Sequence, residues 1–139
     1  LDASAVVPFL VPEIASPTVD AFFGAAKEPL VISEFTAAEV ASALSRLART
    51  HKLTPSKAVE RLADFDVWRA TAAEDVDLHA SDVRLANLYV RRFDLMLRAP
   101  DALHAAICRR ADLRLITLDR RLAAAARALG LAVELLTPA

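Results

Sequence analysis

Cysteine is almost missing from this 139-residue chain, where Cys108 stands alone. A single thiol excludes a disulfide framework and a cysteine-rich zinc site, and it suits a reducing cytoplasm. Glycine occurs only twice, and no Gly/Ser-rich linker, internal repeat or low-complexity segment interrupts the sequence. Positive charge is not in excess: the formal net charge is −1 and the isoelectric point about 6.3. That balance argues against broad electrostatic capture of DNA, though not against a small basic rim around an acidic centre. No apolar run approaches the roughly 20 residues of a membrane span, and no charged-then-apolar leader points to secretion. Methionine does not open the chain; Leu1 does, and some natural N-terminus before it is expected to be missing.

What is abundant is alanine and leucine. Hydrophobic residues make up 55% and mean hydropathy is +0.34. Strong helix formers in such number predict a helix-rich domain. The length predicts one domain over 1–139 with a core large enough to need no staple. So much apolar surface also predicts a covered face, against a second copy or another protein.

Helical and apolar segments alternate along the chain. Leu1 reads as the last residue of a strand, followed by a short helix to about Leu10. A helix over Pro17–Lys27 opens at Ser16 and stops before Pro29, and Leu30–Ser33 is a buried strand. Glu34–Thr50 is a helix, and Thr54-Pro55 opens another to about Arg69, proline being tolerated in a first turn. Asp75–Leu78 reads as a strand, His79–Leu95 and Pro100–Arg110 as helices, and Leu113–Leu118 as a strand. Asp119–Leu129 is a helix capped by Gly130, and Leu131–Leu135 is a last strand. This alternation predicts an α/β fold with a parallel sheet covered on both faces. Ligands of such sheets sit beyond the carboxyl ends of the strands, where Asp2 and Asp119 fall.

Each acid also has a structural explanation. Asp2 and Asp119 suit helix N-caps. Glu39 lies outside the stripe Val40, Ala43, Leu44 and Leu47, so periodicity alone makes it a solvated glutamate. Asp101 gains from the dipole of the helix it opens, yet that helix is apolar nearly all round, and a partly buried carboxylate needs donors or a cation. Arg120 and Arg121, placed unfavourably at a helix start, call for an anion nearby. Carboxylates converging at strand ends would repel without a cation, and Mg²⁺ or Mn²⁺ prefers such oxygen ligands.

Four segments, taken in order, resemble the motifs of PIN domains, and of the VapC-type toxins of type II toxin–antitoxin systems in particular. They are Leu1-Asp2-Ala3-Ser4, Glu39-Val40-Ala41-Ser42, Arg98-Ala99-Pro100-Asp101-Ala102-Leu103-His104 and Leu115-Ile116-Thr117-Leu118-Asp119-Arg120-Arg121. The resemblance spans essentially the whole chain. It implies a PIN-like parallel sheet of about five strands flanked by helices. It implies that Asp2, Glu39, Asp101 and Asp119 gather at one end of the sheet as catalytic residues and ligands of Mg²⁺ or Mn²⁺. The activity implied is endonucleolytic hydrolysis of RNA phosphodiester bonds by a metal-activated water, in a cytoplasmic homodimer silenced by a VapB-like antitoxin. The family's first strand precedes its first aspartate by several residues, and here only Leu1 stands before Asp2, so the resemblance implies an N-terminal strand truncated before Leu1.

Ser4 and Thr117 are placed to donate hydrogen bonds into the acids, or serve as ordinary helix-start hydroxyls. Arg98, Arg120 and Arg121 are candidates for RNA phosphate contacts. His104, three residues after Asp101, reads as a packing histidine, and Cys108 as core. Leu62, Phe65 and Trp68 suit either the core or a dimer surface. A receiver domain needs a lysine after a late strand, and the only lysines are Lys27, Lys52 and Lys57. A haloacid-type phosphotransferase needs an aspartate where Ser4 stands. A non-catalytic interaction module and a DNA-directed nuclease remain as alternatives.

Overall fold

The computed structural model describes all 139 residues. Residues Ala3–Leu10 form α1, Ser16–Ala25 α2, Leu30–Ser33 β1, Glu34–Arg49 α3 and Pro55–Ala72 α4. Then come β2 (Ala73–Val76), α5 (Ala80–Val90), a 3-10 turn at Phe93–Leu95, α6 (Ala99–Ala111), β3 (Leu115–Thr117), α7 (Arg120–Ala128) and β4 (Val133–Leu135). Local chemistry sets several of these ends. The Ser33 and Thr54 hydroxyls accept from Thr36 and Lys57 N–H and so cap α3 and α4. Asp112 terminates α6 in a left-handed conformation, and Gly130, at φ 81°, follows α7 where a side chain would be strained.

Every strand is parallel to its neighbour and is reached through helices, as an α/β fold requires. The sheet is not the single one of about five strands expected. It consists of two pairs, β1 with β2 and β3 with β4. Between the pairs lies a cleft of about 720 Å³, lined by β1, β3 and α6. Only the first two residues bridge it: Leu1 N donates to Val31 O at 3.0 Å, and Asp2 N to Ile116 O at 3.3 Å. Two further boundaries differ from expectation. The strand expected over Asp75–Leu78 is Ala73–Val76, because α4 runs straight into it. The helix expected to Leu95 ends at Val90, where Met96 (φ 53°) and the Arg92–Asp94 ion pair turn the chain.

Helices pack against both strand pairs and bury β1 and β3 more than β2 and β4, forming three apolar clusters. One joins α5, α6, β3 and α7 around Ala102, Ala106, Leu115 and Leu122. A second joins α1, β1, α3 and α4 around Val6, Ile32, Val40, Leu44 and Phe65. The third, at Ala5, Val19 and Leu136, ties α1 and α2 to the residue after β4. Trp68 stacks on Phe23 at 5.4 Å and contacts Phe9 and Phe65, which places it and Phe65 in the domain's own packing. Cys108 is a core residue, as expected.

Candidate active site at the carboxyl ends of the strands

Asp2 is the residue from which the site is built. It precedes α1 in extended conformation but makes no side-chain cap bond, so the helix-cap explanation does not hold for it. Its carboxylate turns instead to two hydroxyls. Ser4 Oγ lies 2.8 and 2.9 Å from the two oxygens, and Thr117 Oγ1 donates to Oδ2 at 3.0 Å. Both hydroxyls are fixed in turn. Ser4 accepts from Leu118 N–H at 3.0 Å, and Thr117 accepts from Asp119 N–H at 2.9 Å. The end of β3 is thereby stitched to the start of α1, and both expected hydroxyl partners of the acids are found there.

Asp2 is only 6% exposed and has no ion pair with any lysine or arginine. Burial pushes its carboxyl above the ordinary carboxylate value. The Ser4 hydrogen bond, the charge of His104, the Thr117 hydrogen bond and the terminal ammonium pull the other way without cancelling it. The Leu1 ammonium is also desolvated, which lowers its pKa.

Asp119 caps α7 as expected: Oδ1 accepts from Arg121 N–H at 2.8 Å and Leu122 N–H at 3.1 Å. One oxygen so engaged leaves Oδ2 free of these bonds. Glu39, expected from periodicity to be solvated, is half-buried and its Oε1 is hydrogen-bonded to Nε2 of His104. His104 is buried, its ring 5.1 Å from that of Phe35. It is thus both a packing residue and the partner of an acid; the sequence signal for the second role is its position three residues after Asp101, on the same helix face. Asp101 opens α6 partly buried, with Arg98 Nε 3.2 Å from its Oδ2. Arg120 and Arg121 are exposed at the start of α7.

The four acids are therefore linked through intermediaries rather than in mutual contact. Thr117 joins Asp2 to Asp119, His104 lies between Asp2 and Glu39, and Asp101 sits one turn before His104. No three acidic, histidine or cysteine side chains converge closely enough to form one metal site as they stand. The donor chemistry nonetheless fits a hard divalent cation. All four groups offer oxygen, and Asp2 is a buried carboxylate without a cationic side chain to offset it. The cleft between the strand pairs is a separate feature, since none of the four acids lines it.

The family model described as PIN domain matches residues 1–128. Among solved structures the chain is similar to the Mycobacterium tuberculosis toxin VapC20, which cleaves the sarcin–ricin loop. The TM-score is 0.70, with 16% identity over 94% of both chains. At that identity the likeness speaks for the fold. No curated protein matches the chain. No helix is long and apolar enough to cross a membrane.

Proposed function

This chain belongs to the PIN-domain family, and we propose on that premise that it is a divalent-metal-dependent endoribonuclease, the toxin of a VapBC-type pair. One observation carries the reading: Asp2 is a buried, ionisable carboxylate held only by hydroxyls, tied through Thr117 to Asp119 at the end of a parallel strand. A structural aspartate in that position would be satisfied by a guanidinium or a helix end, and Asp2 has neither.

Asp2, Asp119, Asp101 and Glu39 would hold Mg²⁺ or Mn²⁺. When bound, such an ion lowers the pKa of a water and stabilises charge on the phosphate. The chain's own residues do the rest. Ser4 and Thr117 fix the Asp2 carboxylate, and His104 fixes Glu39. Arg98, Arg120 and Arg121 lie at the starts of the two helices that carry Asp101 and Asp119, where they would meet RNA phosphates. Exposed apolar side chains support burial against a second copy and against a VapB-like antitoxin; Val59 and Val67 on α4, Val83 and Leu88 on α5, and Phe93 and Met96 are examples. A cytoplasmic setting follows from the same reading.

Cleavage of single-stranded RNA, transfer RNA and single-stranded DNA, compared with Mg²⁺ and with EDTA, tests the proposal. RNA cut only with metal, and not by Asp101→Asn, is the expected result. Cleavage unchanged by EDTA and by Asp101→Asn would refute the enzyme reading, and a preference for DNA would replace the substrate class. Protein that binds metal, RNA and DNA equally poorly would favour a non-catalytic interaction module.

A further inference from the structure

Thr36 carries a hydroxyl that its own helix does not need. It is fully buried, and with Val40 and Leu44, at spacings of four, it forms the buried stripe of α3. An apolar side chain would serve that stripe. The helix end is already capped by Ser33, whose Oγ accepts from Thr36 N–H at 3.0 Å. Burying a hydroxyl costs free energy unless a partner is supplied, so the partner shows what the group does.

That partner is the carbonyl of Leu1. Thr36 Oγ1 donates to it at 2.8 Å, across 35 positions of sequence. A hydroxyl has one proton, so at the 3.1 Å contact between the two side chains Ser33 donates and Thr36 accepts. The Leu1–Asp2 peptide is therefore gripped at both edges. Its C=O is held by α3 through Thr36, and its N–H by β3 through Ile116 O at 3.3 Å. A planar peptide fixed on both sides leaves the Asp2 Cα little freedom. The Asp2 carboxylate is held in turn by Ser4 and Thr117, which belong to α1 and β3. Neither of those ties reaches α3. Thr36 supplies the only hydrogen bond between Leu1 or Asp2 and that helix, and Glu39 stands three residues further along it.

We infer that Thr36 is a positioning residue of the metal-dependent site: through the Leu1–Asp2 peptide it sets where the Asp2 carboxylate stands relative to Glu39. Being fully buried, it meets neither metal nor RNA itself. The inference rests on the nuclease reading above. Mg²⁺ demands near-ideal ligand geometry, so a shift of this peptide is felt in metal affinity and turnover and not in the binding of RNA.

Thr36→Val keeps the shape and removes the proton. It is compared with the parent, with Thr36→Ser and with Ser33→Ala. Ser33→Ala weakens the same helix end but leaves the Thr36 hydroxyl able to reach Leu1, so it reports what lost stability does by itself. In metal-free protein, Thr36→Val should speed amide exchange at Asp2 about tenfold. Its Mn²⁺ affinity should fall about tenfold or more. The kcat for RNA cleavage at saturating Mn²⁺ should fall likewise, with KM for RNA within about twofold of the parent. Thr36→Ser should recover most of both losses, and Ser33→Ala should show neither, even where its Tm falls as far. If Thr36→Val does not fold, Thr36→Ala removes the same hydroxyl and takes its place. Parent-like Mn²⁺ affinity and kcat in the hydroxyl-free variant, or the same losses in Ser33→Ala, would overturn the inference and leave the nuclease reading standing. A parent that neither binds Mn²⁺ nor cuts RNA would remove that reading, and this inference with it.

Discussion

His104 Nε2 is hydrogen-bonded to Glu39 Oε1, which couples α6 to α3 across 65 positions of sequence. A carboxylate can only accept, so the imidazole donates from Nε2. The pair fixes the one glutamate of the site to the same helix that carries Asp101. His104→Ala should lower metal-dependent RNA cleavage about 10- to 100-fold, the usual cost of losing a residue that orients a metal ligand. His104→Gln keeps a side-chain donor and should recover much of that loss. Mn²⁺ titration alongside circular dichroism separates the effect from unfolding: a folded His104→Ala protein with unchanged metal affinity and activity would leave the histidine a packing residue only.

Asp2 should respond to pH and metal in opposite senses. Burial, the larger influence, raises its pKa above the ordinary value despite the Ser4 and Thr117 hydrogen bonds. The folded chain therefore holds this proton more tightly than the unfolded chain. Ionised Asp2 opposes folding near neutral pH, and that penalty disappears as pH falls through the raised pKa. Asp2→Asn removes the charge while the two hydroxyls can rotate to suit an amide. The metal-free variant should be more stable than the parent near neutral pH by about 0.5–2 kcal/mol, with the difference shrinking toward about pH 4. Saturating Mn²⁺ should reverse the order, because only the parent gains from binding. Thermal melts over that pH range, with Mn²⁺ and with EDTA, read both effects.

Three of the four acids stand beside a local signal in the sequence; Glu39 does not, and the set came together only through the resemblance to PIN-domain motifs. Asp119 follows a β-branched strand and opens a helix, Asp101 follows a helix-start proline, and Ser4 and Thr117 lie within two residues of an acid. The partner of Glu39 was hidden, since the helical stripe of α3 reports which residues face the core and nothing about a histidine 65 positions away. The short strand before α5 was displaced because Ala73-Glu74-Asp75 carries little β-propensity; its place comes from pairing with Leu30–Ile32. The split of the sheet into two pairs could not be read from periodicity either, because strand number depends on which edges meet in space.

Arg98 lies against Asp101 with its side chain 77% exposed, while that of Asp101 is 19% exposed. A cation in this position competes with a metal ion for the carboxylate and also adds attraction for RNA phosphate. Exposed pairs are weak, worth about 0.2–1 kcal/mol. Arg98→Ala should therefore lower the Mn²⁺ concentration for half-maximal activity by no more than about fivefold while raising KM for RNA. Identical Mn²⁺ titrations of the two proteins would show that the arginine does not contest the site.

Asp82 and Arg110 form the structural counterpart of the site, an acid that already has its cation. Asp82 is 1% exposed. Arg110 Nε donates to Oδ1 at 2.7 Å, and Nη2 donates to Oδ2 at 3.0 Å and to Asp77 O at 2.6 Å. The same Oδ2 accepts from His79 N–H at 2.8 Å, closing the first turn of α5. Burial alone would raise the Asp82 pKa, but the Arg110 hydrogen bonds, the His79 N–H and the nearby positive charge outweigh it, and the pKa is lowered. Its stabilisation is thus present above the unfolded carboxyl pKa and lost as pH falls through the depressed folded value. Asp82→Ala leaves a solvent-reachable guanidinium without its carboxylate and the His79 N–H without its acceptor, and should cost about 1–3 kcal/mol, a sizeable share of a typical domain's stability. Urea unfolding near neutral pH should show that loss, and the gap to the parent should narrow in acid. Arg110→Lys keeps the charge but cannot make the two-pronged contact, so it should fall between the two. A lysine variant as stable as the parent would mean that charge alone, without the fork to Asp82 and the Asp77 carbonyl, holds α5 to α6.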